Sequence, residues 1–355
     1  MRRVARNTIL LLQLVCFTTS LLNLGCGGGG LSPSAQITQG IQTDSHASQS
    51  MQGPMLGFVT ASDGGEVRAI LGIPGASILS PPLAIPAGVT SLNFAPGQKY
   101  AIVQGVAGAP IGVMTFPAAN PGPLFEIGGA ISQPDMVSFS PNGAAAVVYS
   151  ASEGRLQVLS GLPKSPRIAR EFSSTELANS PRLLVLADDG VTLLEGATDN
   201  SVYLLAAGAA PQLLATVGDL EGMAFIPKSV NALVFDRKGG SLSLLQSVNS
   251  APSSQSLVDG LTGLAGKIAL QVAAGRVLIT SASTNHLWQI DLQSLRVQDL
   301  QLPATAAMLE PLRTSGAYLL SWQAGQPAWI VDTSGQSGAV YFVPASVVAG
   351  PPLAR

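Results

Sequence analysis

Between residues 137 and 161 the chain reads VSFSPNGAAAVVYSASEGRLQVLSG, three short apolar runs broken by SPNG and SEG. LPKSP follows, and then a fourth run, RIAREFS. Runs this short, punctuated by Gly, Pro, Asn and Ser, predict antiparallel strands joined by tight hairpins. The same order recurs upstream in SLNFAPG, KYAIVQGV, PIGVMTF and PLFEIGG, and downstream in GMAFIPK, NALVFDRK and SLSLLQSV. It returns once more in KIALQVAA, RVLITSAS, HLWQIDLQ and RVQDLQL. The regular Glu, Lys, Arg and Leu faces that long helices require are missing.

With Phe94, Phe139, Val185, Phe225, Leu270 and Glu310 taken as equivalent positions, successive separations are 45, 46, 40, 45 and 40 residues. A four-stranded unit repeating every 40–45 residues is the signature of a β-propeller. Each unit buries its apolar residues against its neighbours, and closing the ring removes the exposed end sheets. A partial unit before the first marker, MLGFVTASDGGEVRAILGIPGASILSPPL, supplies three more strands. The expectation is an all-β fold with seven four-stranded blades over residues 55–346, inside a propeller domain of residues 51–355. Phe94, Phe139 and Phe225 then belong on buried inner strands. The last run, AVYFVPAS, is expected to pair beside the first unit's blade or within it. Two alternatives fit less well. A β-helix repeats faster and lacks the hairpin punctuation, and a pair of sandwiches needs a central linker where only STELANSP stands.

The FSPNG turn, and the strand ends HLWQIDLQS and AWIVDTSG, resemble the WD40-like and YVTN repeats of bacterial exported propellers. In those families a Phe-Ser-Pro-Asp-Gly turn joins the two innermost strands. Here Asn142 stands at the aspartate position, and FAPGQ and FIPKS are diverged copies. The resemblance implies the fold and no particular activity.

Composition narrows the function. Charged residues make up 11% of the chain, against about 25% in typical soluble proteins. The net charge of −2, with no Lys/Arg cluster beyond the first seven residues, leaves no basic footprint for nucleic acid. The N-terminus, MRRVARN followed by the apolar TILLLQLVCFTTSLLNL, has the charged-then-apolar order of a secretory signal peptide. It ends in LNLGCGGGG, which resembles the lipobox of bacterial lipoproteins, where a small residue precedes an invariant, lipidated cysteine. Gly25 and Cys26 match those positions, while Asn23 stands where the family favours Leu. The resemblance implies that residues 1–25 are removed and that Cys26 carries thioether-linked diacylglycerol and acyl chains such as palmitate. Cys16, the other of two cysteines, lies in the removed segment, so no intramolecular disulfide is expected. Residues 26–50 then begin with the lipidated cysteine and continue as a flexible Gly/Ser/Gln linker. Gly27, rather than the aspartate that resembles an inner-membrane retention signal, favours an outer-membrane destination in a diderm host.

Candidate chemistry is sparse. No G-x-S-x-G and no H-E-x-x-H occurs, and there is no Cys pair or His cluster. Of two histidines, His46 falls in the linker, and His286 reads as a hairpin residue beside Trp288. No catalytic residue, metal ligand or cofactor is assigned, although scattered carboxylates leave an all-oxygen Ca²⁺ site open. Asp188-Asp189-Gly190 reads as a hairpin turn, and Asp236, Asp291 and Asp332 as caps of tight turns. Trp288, Trp322 and Trp329 sit in strand-like runs and read first as core; Trp322 and Trp329, either side of an AGQP turn, are the one candidate ligand surface should a ring be exposed. The expected function is a membrane-tethered, monomeric, non-catalytic interaction or scaffold module that meets another envelope protein. A propeller hydrolase or lactonase, or a carbohydrate- or peptide-binding lipoprotein, are the alternatives.

Overall fold

Seven antiparallel sheets follow one another along the chain, and each is built from strands consecutive in sequence. The fold is a seven-bladed β-propeller, seen in a computed structural model that describes residues 53–61, 66–105, 108–306, 308–335 and 337–345. The expected leader (residues 1–25), the linker (residues 26–50), Cys26 and His46 lie outside the described residues. Six sheets have four strands, and the first shows three, Met55–Thr60, Val67–Ile73 and Ala76–Leu79. The partial first unit of the repeat is therefore a blade in its own right.

Hydropathy follows position within a blade. Second strands such as Ala145–Ser150 and Leu193–Ala197 are buried at every residue, because a neighbouring blade covers each face. Outermost strands alternate, as in Arg167–Ser173, or are largely exposed, as in Ser253–Val258. The innermost strands turn one edge to the central channel and have a ladder partner on the other side only. Proline is tolerated on such an edge, and Pro181 and Pro311 both stand there.

The hairpin after each innermost strand fixes the register of the repeat. Thr60, Phe94, Phe139, Leu186, Phe225, Gln271 and Pro311 each pair with the residue seven positions ahead. Phe94, Phe139 and Phe225 are thus structurally equivalent, as the spacing predicts. Val185, Leu270 and Glu310 each stand one residue before the equivalent position. Phe225 is buried, whereas Phe94 and Phe139 are half-buried at the channel wall.

The core consists of seven apolar clusters, one between each pair of adjacent blades. Between the first and second blades Phe58 stacks on Phe94 at 5.2 Å and meets Phe116 at 4.9 Å. Burying one such ring contributes about 1.5–3 kcal/mol. The ring closes by packing of Leu56, Val59 and Ile70 from the first blade against Leu312, Trp322 and Ile330 from the seventh. Ala339–Val343 is the outer strand of the seventh blade and lies beside the first, where Leu79 N donates to Pro344 O at 3.3 Å.

Polar pins cross between blades at the turn end of the inner strands. Gln98, held at φ 47°, takes the Phe58 N–H on its Oε1 and donates its amide to the Phe58 carbonyl. A Cβ on Gly57 would collide with that Oε1 and crowd Arg313 N, so the approach requires glycine. Tyr100 Oη donates to Gly143 O of the third blade. Asp188 of the fourth blade accepts from Asn142 N of the third and Lys228 N of the fifth.

Candidate functional site

The innermost strands surround a cavity of about 510 Å³ along the propeller axis. Hairpin turns carrying Pro96, Pro141, Pro227 and Ala274 rim it. All six residues that mark the sequence repeat, Phe94, Phe139, Val185, Phe225, Leu270 and Glu310, line this cavity. Phe94, Phe139 and Phe225 belong to the tier nearer the turns. Glu310 belongs to the next tier in, with Asn93, Ser138, Val185, Ala224 and Leu270, each paired with the residue nine positions ahead.

Glu310 is the one charged residue of the lining among the described residues. Protein surrounds it, yet its side chain is open to the channel void. That burial pushes its carboxyl above the ordinary range, and Lys267 offsets the effect in part. Among the described residues no hydrogen bond or ion pair reaches the Glu310 carboxylate, and the side chains of Asn93, Ser138 and Gln271 are likewise unpartnered. Tyr318 lines the same cavity, and burial pushes its phenol up to about 12, so it stays neutral over the physiological range. The site offers one carboxylate, neutral hydroxyl and amide groups, and apolar walls. Among the described residues no three His, Cys, Asp or Glu side chains are gathered closely enough to hold a metal ion.

The other ionisable groups singled out in the sequence serve local structure. Asp236 accepts from the N–H groups of Gly218, Asp219 and Lys238. Asp291 accepts from Gln293 N and Ser294 N, and Asp332 from Ser334 N. Asp189 takes Val191 N and Thr192 N beside Gly190 at φ 66°, a hairpin turn as expected. His286 stacks on Trp288 at 5.4 Å and meets Asp299 at 2.9 Å on the outer half of the sixth blade. Arg182 and Arg237 pair with Asp219 and Glu221 in a four-charge cluster between the fourth and fifth blades.

Trp322 and Trp329 are not brought together as a ligand platform. Trp322 is 4% exposed in the core between the seventh and first blades, and its indole N–H donates to Gln326 O. Trp329 lies on the opposite face, against the core between the sixth and seventh blades and the ring of Phe342. A bulge between Leu319 and Ser321 changes the parity of the strand, which sends Trp322 to the far side.

No family model matches the sequence, and no curated protein does. Solved structures are similar in fold. The periplasmic gluconolactonase of Pseudomonas aeruginosa aligns with a TM-score of 0.54 at 18% identity, covering 82% of this chain and 96% of that one. Virginiamycin B lyase from Staphylococcus aureus aligns at 0.47 and 11% identity, over 83% of this chain and 96% of that one. Hydrazine synthase of Kuenenia stuttgartiensis aligns at 0.46 and 11%, over 87% and 100%. At these identities the likeness concerns the fold.

Proposed function

We propose that this protein is an exported, lipid-anchored propeller that serves the cell envelope as a non-catalytic binding module, with the central channel as its binding site. The carrying observation is that, among the described residues, the channel holds one carboxylate, Glu310, with no second ionised group paired to it as an acid–base or nucleophile–base couple. A cavity with apolar walls and a few unpartnered polar groups is the usual form of a small-ligand site. The lipobox-like Gly25-Cys26 and the linker behind it support tethering to a membrane.

A second reading, a lactonase-like hydrolase, has one observation in its favour. A carboxyl held above its ordinary range suits a general acid, and the Pseudomonas aeruginosa protein of similar fold is a gluconolactonase. Hydrolysis of gluconolactone by the purified full chain separates the two. The binding reading expects no rate above buffer, and a rate that disappears in Glu310→Gln would overturn it.

A further inference from the structure

The chemistry of the channel selects among ligands. A neutral apolar ligand entering it displaces the water around Glu310 and leaves a carboxylate unpaired in a cavity that already disfavours its charge. An anion adds direct repulsion. A metal ion such as Ca²⁺ needs six to eight oxygens, whereas the lining holds a single carboxylate among neutral groups. An organic ammonium needs less, one carboxylate as acceptor and apolar or aromatic walls around its carbon body. Lys267, the protein cation nearest in effect, is exposed and makes no ion pair with Glu310 among the described residues.

We propose that the channel binds a small organic cation, an amine with an apolar body, with its ammonium on Glu310 and its carbon skeleton toward the half-buried Phe94 and Phe139. The inference rests on the binding reading and adds the ligand class to it. The tier arrangement suits such a molecule. Glu310 stands one residue deeper than the ring that carries the three phenylalanines, so a ligand entering past Pro96, Pro141 and Pro227 meets the apolar tier before the carboxylate. Among the described residues the side chains of Asn93 and Ser138, on the second and third blades of the same tier, are unpartnered and line the cavity with Glu310.

The test is calorimetric titration of the full-length protein at pH 8 with three probes of one shape, benzylammonium, benzyl alcohol and benzoate. Benzylammonium is expected to bind about 10- to 100-fold more tightly than benzyl alcohol, the factor for a hydrogen bond to a charged group. Benzoate is expected to bind weakest. Glu310→Gln is expected to remove the advantage of benzylammonium and to bind benzyl alcohol at least as tightly as wild type, since no carboxylate is then left unpaired. A native far-UV circular dichroism spectrum and a urea midpoint no lower than wild type show that the variant is folded. Equal binding of cation and alcohol, an undiminished benzylammonium affinity in Glu310→Gln, or no binding of any probe overturns the inference. The binding reading itself fails on the lactone turnover assay, which uses none of these probes.

Discussion

Asp188 holds two neighbouring blades at once, and removing its carboxylate tests how the ring is kept together. Its Oδ1 accepts from Asn142 N at 2.7 Å and its Oδ2 from Lys228 N at 2.7 Å. These donors lie in the inner hairpin turns of the third and fifth blades, so a single side chain on the fourth spans three sheets. A hydrogen bond to an ionised group contributes about 1.5–3 kcal/mol, and solvent at the turns places both of these at the low end. Asp188→Ala is therefore expected to cost about 2–3 kcal/mol. Asp188→Asn keeps one acceptor oxygen and presents an NH₂ to the other donor, so it is expected to lose about half of that. Urea unfolding gives the measurement, with the midpoint falling in the order Asp, Asn, Ala at an unchanged slope. Asp189→Ala is the comparison, because among the described residues the hydrogen bonds of Asp189 stay within its own hairpin and it bridges no other blade by a hydrogen bond. Asp188 variants within about 0.5 kcal/mol of wild type, typical of neutral surface changes, would refute the claim that this carboxylate pins the blades.

Three further outcomes follow from burial. Phe58, fully buried between Phe94 and Phe116, should cost about 3–5 kcal/mol on replacement by alanine, read as a drop in the unfolding midpoint. Tyr318 titrates near 10 when unfolded and about 12 when folded, so its stabilising contribution is complete below pH 10 and lost as pH rises to about 12. Alkaline scans should show Tyr318→Phe losing roughly 2–3 kcal/mol less than wild type over that window; parallel curves would contradict the burial argument. Glu310, whose folded form holds its proton above the ordinary carboxylate range, favours folding only while protonated and loses that contribution as pH rises. Glu310→Gln should therefore raise the unfolding midpoint at pH 7, with the gain shrinking toward pH 4; a lower midpoint at pH 7 would show that the carboxylate is not desolvated.

Much of this architecture is legible in the chain because propeller blades are local. Hairpins join consecutive strands, so the pitch of FSPNG-like turns and apolar runs reports the blade directly, and Phe94, Phe139 and Phe225 fall at matched positions. What faces the channel is less legible, since one residue of offset separates the two tiers. Glu310 serves in the sequence as a spacing marker, yet it is the only charged member among six markers, and that mismatch was the available signal for the site. The tryptophans fall in the core as their strand-like runs suggest, but the face each one takes is hidden. Strict alternation places Trp322 on the face of Tyr318 and Leu320, beside Trp329, but the bulge after Leu319 reverses the parity, and a bulge leaves no mark in the apolar pattern.

Tethering at a membrane is the claim on which the proposed role turns, and one measurement addresses it directly. Intact mass spectrometry of the protein extracted from the membranes of its host should give a chain that begins at Cys26 and carries diacylglycerol in thioether linkage with a further acyl group. Two or more acyl chains anchor stably, because each buried CH₂ contributes about 0.8 kcal/mol. A mature chain without lipid, or one that retains residues 1–25, would contradict the assignment.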